Sequence, residues 1–329
     1  MYAQIMLHVI FVACHLLPGA ESMYSLRLFI IGDMGGIDYM PYSTYIERST
    51  AIEMGKMANL YAPQAIIELG DNFYYNGVEN VHDSRFSETF EEVYRAESLF
   101  VPWYVIAGNH DHLGDVSAQI KYSDFSTRWN FPDYFYYREF RIGNTSQTVG
   151  IVFIDTVLLC GDSDDDDDDK AQPTPRPDHD VNKHKYWKKV KDLLKHSNAN
   201  YLFAAGHFPV YSAGSHGPTK CLVDDLQPML EKYNVTGYLC GHDHNLQHLR
   251  VDKKSGGSMD YFVSGMANFI NPSLSNYNKV PKNSLKFYHA NFFSKGGFLY
   301  GEATPINMTF TFISSNGQNL YSTVVRPRF

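Results

Sequence analysis

The feature that most constrains the fold of this 329-residue chain is a set of five short apolar runs, each followed closely by a Gly-rich cluster containing Asp, Asn or His. Short β-branched and aromatic runs bounded by glycine are typical of buried strands. The runs and their clusters are Leu26–Ile31 with Gly32-Asp33, Ala65–Leu69 with Gly70-Asp71, Trp103–Ala107 with Gly108-Asn109-His110, Tyr201–Ala205 with Gly206-His207, and Val235–Cys240 with Gly241-His242. Because side chains beyond the carboxyl ends of adjacent strands converge on one edge of an α/β sheet, we expect these clusters to meet there.

Segments with helical spacing lie between these runs. They are Tyr45–Tyr61, Ser84–Leu99, Asn182–His196 and Asp224–Tyr233. From Asp260 onward the pattern is again mainly strand-like. Strands that alternate with helices predict a fold of the α/β (α+β) class.

Composition indicates an ordered globular protein, with 44% hydrophobic and 15% aromatic residues. The net charge of −8 has a local origin, because seven aspartates lie between Asp162 and Asp169. Basic residues do not cluster as they do in nucleic-acid-binding surfaces, so no such binding is expected. The acidic run continues into a proline-rich stretch and cannot pack a core, which predicts an exposed loop over residues 162–180.

The amino terminus has the pattern of a secretory signal peptide at residues 1–22. Its apolar run, Ile5–Leu17, is too short to cross a bilayer, and Ala20 and Ser22 suit cleavage before Met23. The alternative is a buried amino-terminal strand or helix. With no other segment apolar enough to span a membrane, we expect one catalytic domain over residues 23–329 in a secreted or lysosomal protein.

Cysteines and glycosylation signals agree with export. Once Cys14 leaves with the signal peptide, three cysteines remain, which permits at most one disulfide and one free thiol. Candidate sites for N-glycosylation are Asn144, Asn234 and Asn307. Together these features fit an oxidising compartment.

The residue types in the five clusters suit a pair of metal ions. A carboxylate such as that of Asp71 can bridge two neighbouring cations. His and Asn supply the imidazole and amide oxygen that borderline divalent metals take. Tyr74, three residues after Asp71, adds a phenolate, which a hard ferric ion prefers. Each cluster alone could be a structural turn, but the five in this order predict a dinuclear metal site.

This pattern resembles the metallophosphoesterase signature, and Tyr74 narrows the resemblance to the purple acid phosphatases. The likeness extends from Leu26 to Val324 and is greatest to the small, tartrate-resistant (type 5) acid phosphatases of animals. Three stretches carry it most specifically, Ala107–Gly114, Arg128–Pro132 and Tyr238–Gln247. The resemblance implies a four-layer fold in which a two-sheet β-sandwich is flanked by helices.

The resemblance also implies a set of ligands. A ferric ion would be held by Asp33, Tyr74 and His244. A second ion, usually iron(II) with zinc or manganese as options, would be held by Asn109, His207 and His242. Asp71 would bridge the two ions. The disulfide pair of such proteins corresponds to Cys160 and Cys221, which would leave Cys240 as a buried thiol.

The reaction implied is hydrolysis of phosphate monoesters by a hydroxide on the metal pair. His110 and His216 would hydrogen-bond the phosphate, and one of them would protonate the leaving group. An imidazolium is needed for that step, so an acidic pH optimum is expected from the reference histidine pKa of about 6.5. Substrates could be small molecules, nucleotides or phosphoproteins, and the protein is expected to be a monomer.

In the family that the chain resembles, the position of the acidic loop is occupied by a repression loop that is cut to raise activity, so the resemblance implies activation by a protease. An inert insertion is the alternative. Departures from the family pattern at Met34, Phe208, Tyr211 and Lys220 concern substrate preference rather than metal binding. Two other functions stay open, a phosphodiesterase or nucleotidase on the same scaffold and a non-catalytic iron-binding or redox protein.

Overall fold

The computed structural model describes residues 24–163, 172–174, 179–254 and 256–329. The proposed signal peptide at residues 1–22 and the aspartates at positions 164–169 lie outside the described residues. Among the described helices, none combines the length and apolar character needed to cross a bilayer.

Fourteen strands in the described part of the chain form two seven-stranded mixed sheets. The first sheet has the order β14-β13-β12-β1-β2-β3-β4 and the second the order β11-β9-β10-β8-β7-β6-β5. In chain order the strands are β1 Leu26–Ile31, β2 Ala65–Glu68, β3 Trp103–Tyr104, β4 Trp129–Asn130, β5 Phe135–Arg141, β6 Thr148–Ile154, β7 Tyr201–Gly206, β8 Gly237–Cys240, β9 Leu246–Asp252, β10 Ser258–Ser264, β11 Leu285–His289, β12 Gly297–Ala303, β13 Met308–Ser314 and β14 Asn319–Val325.

The parallel strands of each sheet carry the runs recognised in the sequence. In the first sheet β1, β2, β3 and β4 are mutually parallel neighbours, and in the second β6, β7, β8 and β10 are. Antiparallel strands extend both sheets at their edges. The carboxyl ends of the parallel strands therefore point to one edge of each sheet, where ligands usually bind.

The core lies between the two sheets, where aromatic rings from both sides meet. Phe310 of β13 lies 5.4 Å from Phe203 of β7 and 4.4 Å from Phe262 of β10, measured between ring centroids. Alternate residues of β7 face opposite sides because side chains alternate along a strand, so Phe203 joins this core while Leu202 packs in a second core with the helical layer.

The helices of the described chain are α1 Tyr45–Tyr61, α2 Val116–Tyr122, α3 Thr156–Cys160, α4 His179–His196 and α5 Gln227–Lys232. Helix α1 packs on the first sheet, where Tyr61 stacks on Tyr300 with ring centroids 4.3 Å apart. Helix α4 packs on the second sheet and contributes Val190 and Leu194 to its core. Two sheets flanked by helices confirm the fold class predicted from the sequence.

Two predicted helices are interrupted. Within the described residues, Ser84–Leu99 contains only a π-helical turn at Phe86–Glu91 and a short 3₁₀ turn at Glu97–Leu99. Contacts with residues distant in the sequence determine this path. The rings of Phe86 and Phe90 both pack against Trp129, and the wider turn accommodates them.

The other interruption lies within Asp224–Tyr233. This segment splits between a π-helical turn at Leu222–Leu226 and α5, which begins at Gln227 and has Pro228 in its first turn. Proline lacks the N–H that a continuous helix would need there.

Candidate metal centre

All seven proposed ligands meet at the carboxyl ends of parallel strands from both sheets. The loops after β1, β2 and β3 supply Asp33, Asp71, Tyr74 and Asn109, and the loops after β7 and β8 supply His207, His242 and His244. Contacts across the two sheets join them, since Nε2 of His207 lies 3.2 Å from Oδ2 of Asp71. Neither sheet alone could assemble this set.

One cluster consists of Asp33, Tyr74 and His244. The hydroxyl of Tyr74 donates to Oδ1 of Asp33 over 3.0 Å and lies 3.1 Å from Nε2 of His244. Nε2 of His244 lies 3.6 Å from the same carboxylate oxygen. Two oxygens and one imidazole nitrogen thus surround a single point, a donor set that suits a hard cation.

A second cluster consists of Asp71, Asn109, His207 and His242. Ligand atoms of Asp71, His207 and His242 all lie within 4.8 Å of one another. The amide oxygen of Asn109 lies 3.0 Å from Nε2 of His207. Asp71 also interacts with the hydroxyl of Tyr74, so its carboxylate faces both clusters and is placed to bridge two cations.

The backbone at this centre adopts conformations that L-residues seldom use. Asp33, Asp71 and His242 have φ angles of 58°, 58° and 68°. Glycine is required at position 108, because a Cβ there would lie 2.1 Å from Oδ1 of Asp71. Turns of this kind aim the side chains inward from the strand ends.

Hydrogen bonds fix the orientation of the ligands. Nδ1 of His207 lies 2.8 Å from the carbonyl oxygen of Leu69, to which it can donate, leaving Nε2 for the centre. The backbone N–H of His242 donates to Asp33, and that of His110 donates to Oδ1 of Asp71 over 3.0 Å. The carboxylates therefore hold the loops that carry the other ligands.

The electrostatics of the site favour bound cations. Burial, reinforced by Asp33 and Asp71, raises the pKa of Tyr74 well above its ordinary value, so a tyrosinate there needs a neighbouring positive charge. Burial and the surrounding histidines lower the pKa of His242, which keeps that imidazole in its neutral, metal-binding form. The residues present thus fit a dinuclear metal centre.

Asp71 and His207 form a buried ion pair. Burial would raise the pKa of the Asp71 carboxyl, but attraction to His207 and His110 outweighs it and holds that pKa below its usual range. Burial would likewise lower the pKa of His207, but Asp71 raises it to about 10. A cation bound between Asp71 and His207 would replace the imidazole proton of His207 as the positive charge beside the carboxylate.

Asp111 is a buried residue that the sequence interpretation did not single out. Its carboxylate accepts hydrogen bonds from the backbone N–H groups of Asn72 and Gly108 and from the side chain of Gln119. Burial and Asp71 together raise its pKa to about 6. Through these hydrogen bonds Asp111 holds together the loops that carry Asp71 and Asn109. The sequence feature that could have identified it is its position directly after His110.

The two candidate catalytic histidines flank the clusters. Nδ1 of His110 lies 2.7 Å from the carbonyl oxygen of Tyr75, and its ring centroid lies 4.4 Å from that of Tyr74. The ring of His216 lies 4.1 Å from the ring of His242 and 6.5 Å from that of His244. One histidine therefore adjoins each side of the centre.

A disulfide joins Cys160 at the end of α3 to Cys221, and Cys240 is buried with a free thiol. Close to this bond, Asp162 and Thr174 exchange two backbone hydrogen bonds that close the base of the acidic loop. The side chain of Gln172 hydrogen-bonds the backbone of Pro218 and Lys220, near His216.

Among the candidate glycosylation sites, Asn144 and Asn234 are exposed and Asn307 is half-buried.

The sequence model of the calcineurin-like phosphoesterases matches residues 26–246. A tartrate-resistant acid phosphatase type 5 of the rabbit, Oryctolagus cuniculus, is 46% identical over 310 residues, which cover 94% of this chain and 93% of the rabbit protein. The chain belongs to the calcineurin-like phosphoesterase family, in its purple acid phosphatase branch.

Two solved structures share the fold of this family member. One, described as the anchor in the inner membrane complex of Plasmodium, has a TM-score of 0.75 at 21% identity and covers 92% of this chain and 89% of that one. The other, a purple acid phosphatase from yellow lupin seeds, has a TM-score of 0.63 at 17% identity and covers 91% of this chain and 53% of that one.

Proposed function

We propose that this protein is an acid phosphatase that hydrolyses phosphate monoesters at a dinuclear metal centre. The observation that carries the proposal is the convergence of two ligand clusters on Asp71, whose carboxylate interacts with His207 and with Tyr74. Similarity to the tartrate-resistant acid phosphatase of the rabbit supports the same reaction.

Each cluster would hold one cation. Asp33, Tyr74 and His244 suit Fe(III), because two anionic oxygens favour a trivalent ion. Asn109, His207 and His242 suit Fe(II), with Zn or Mn as alternatives. When bound, the two cations would neutralise the negative charge of the phosphate and lower the pKa of an attacking water.

His110 and His216 would act on the phosphate ester from the two sides of the centre. Nδ1 of His110 lies 2.7 Å from the carbonyl oxygen of Tyr75, and this contact orients the imidazole beside the proposed phosphate site. A protonated imidazole beside the leaving oxygen donates the proton that an alkoxide needs to depart. Expulsion of a strongly basic leaving group therefore depends on one of these histidines.

The acidic segment at residues 162–180 would restrain activity until a protease cuts it. A dense run of aspartates repels phosphate esters, and the described residue Gln172 lies near His216, where its side chain hydrogen-bonds the backbone of Pro218 and Lys220. We propose that the protein acts as a monomer in the secretory pathway, either secreted or lysosomal, after removal of residues 1–22.

Hydrolysis of 4-nitrophenyl phosphate at pH 5, with excess tartrate present, tests the proposal. Turnover that tartrate does not suppress is the expected result, and Asp71→Ala should abolish it. Bis(4-nitrophenyl) phosphate, assayed in parallel, is the discriminating substrate. Faster cleavage of this diester would identify a phosphodiesterase. Metal-loaded protein that cleaves neither ester would contradict the phosphatase assignment.

A further inference from the structure

We propose that Asp243 is a positioning residue that fixes His216 beside the metal centre. The inference rests on the proposed function, in which His216 acts on the phosphate ester. Asp243 is fully buried between the two ligands His242 and His244 in the chain. Its side chain reaches the loop that carries His216.

The contact is made by a single carboxylate oxygen. Oδ1 of Asp243 accepts the backbone N–H of His216 over 3.1 Å and the hydroxyl of Ser215 over 3.2 Å. The approach requires glycine at position 214, since a Cβ there would lie 2.5 Å from the same oxygen. The loop backbone is thus held directly against the carboxylate.

Two asparagines also hold the same loop. Nδ2 of Asn276 donates to the carbonyl oxygens of Gly214 and Ser215, both over 2.7 Å. Nδ2 of Asn271 donates to the Ser215 hydroxyl over 3.0 Å. Asn276 is buried, so these bonds are shielded from competing water.

Asp243 thereby fixes the distance between the imidazole of His216 and the two ligand clusters. The segment from His242 to His244 supplies one ligand to each cluster, and Asp243 within it anchors the loop of His216. The same short stretch of backbone therefore positions two metal ligands and, through Asp243, the imidazole of His216. A misplacement of about 1 Å at such a site can cost about 100-fold in rate.

A double-mutant cycle tests the role. Asp243→Ala should lower kcat on a phosphate monoester by about 10- to 100-fold and should raise KM to the same extent as His216→Ala does, because His216 also hydrogen-bonds the bound phosphate. Added to His216→Ala, it should cause less than about a twofold further loss, because its effect passes through that histidine. Metal content and the visible absorption band should not change.

Inorganic phosphate provides a readout that does not depend on turnover. Calorimetry on the metal-loaded protein should show that Asp243→Ala and His216→Ala weaken phosphate binding to a similar extent, and that the double variant is no weaker than His216→Ala. This arm remains informative if the wild type turns over no monoester, an outcome that would count against the proposed function instead.

Asn276→Ala repeats the test from a position remote from the ligands in the chain. It should lower kcat in the wild type but not in the His216→Ala background, whereas the exposed neighbour Asn278, changed to Ala, should leave kcat unaltered. If Asp243→Ala fails to fold, the comparison of Asn276→Ala in the wild-type and His216→Ala backgrounds tests the proposal in its place. Effects that multiply with His216→Ala, or loss of metal from either variant, would overturn the proposal.

Discussion

The hydroxyl oxygen of Tyr74, on the loop after β2, lies 3.0 Å from Oδ1 of Asp33, on the loop after β1. Burial and the carboxylates of Asp33 and Asp71 raise the pKa of this phenol, so it ionises only beside a strong cation. With a ferric ion bound at this cluster, the colour of the loaded protein would report directly on this contact.

Tyr74→Phe should bleach the loaded protein. The visible band of a tyrosinate on ferric iron requires the phenolate oxygen, while the second cluster keeps all of its ligands. Absorption spectroscopy with a metal assay checks the prediction. Tyr75→Phe, at the half-exposed neighbouring position, is the control and should keep the band. A band that survives in Tyr74→Phe would remove this side chain from the metal.

The sequence predicted best those elements whose ends are defined by residues close to them in the chain. Helix α1 has the predicted bounds because Thr44 and Glu47 form a capping box and Ala62 ends it in a left-handed conformation. Strand β1 also has its predicted bounds, as a short apolar run closed by glycine. These signals lie within a few residues of the element that they define.

Long-range contacts were not predictable in this way. The segment after Arg85 has helical spacing, but its path depends on rings that pack against Trp129 from distant sequence positions. The proposed ligands were predicted as a set from the family resemblance, since the family's motifs match at each of these positions. The bond from Asp243 to His216 joins positions 27 residues apart, and no local pattern indicates it.

Loss of the candidate general acid should appear most strongly on alkyl phosphates. At least one of His110→Ala and His216→Ala should lower kcat by about 100-fold or more on an alkyl ester. The loss on 4-nitrophenyl phosphate should be smaller, because nitrophenolate departs without a proton. Steady-state rates on the two esters provide the measurement. Equal losses on both, in both variants, would argue against either histidine as the proton donor.

The buried pair of His112 and Asp155 should make stability depend on pH. Their atoms Nε2 and Oδ2 lie 2.7 Å apart. Burial would lower the pKa of His112, but Asp155, with further contributions from Asp111 and Asp162, raises it. Protonation of His112 then stabilises the folded state in full below about pH 6.5, and this gain is lost as pH rises through the raised folded-state pKa.

Urea unfolding of His112→Gln should show a loss of about 3 kcal/mol at pH 5 and a smaller loss at pH 9. The exposed residue His184, changed to Gln, serves as the control and should be close to neutral at both values. A destabilisation that is the same at pH 5 and pH 9 would show that His112 contributes packing rather than charge.

The disulfide should contribute to stability through the unfolded state. Cys160 and Cys221 are separated by 61 positions, and closing a loop of that size contributes about 4 kcal/mol in the chain-entropy treatment. Replacing both with Ser should lower the unfolding free energy by a similar amount. Reduction should destabilise the wild type but leave the double variant unchanged, which chemical denaturation in the two buffers can measure.

Cleavage after Lys170 should raise kcat/KM on anionic phosphate esters. The gain should be largest at low ionic strength, since salt screens the repulsion by the aspartates. Replacing Asp164–Asp169 with Asn in the uncut protein should give a comparable gain without cleavage. If kcat/KM at low salt is the same before and after the cut, the segment is an inert insertion.

The positive φ angles at Asp33, Asp71 and His242 have an evolutionary consequence. Each left-handed residue costs the fold about 1–2 kcal/mol, a noticeable fraction of the 5–15 kcal/mol that separates a typical domain from its unfolded state. Asp33 and Asp71 also accept backbone hydrogen bonds that hold the loops of other ligands, so His242 is the position at which a lineage released from metal binding would gain stability from glycine. Glycine at position 242 should therefore mark, among descendants with the same fold, those that have abandoned catalysis.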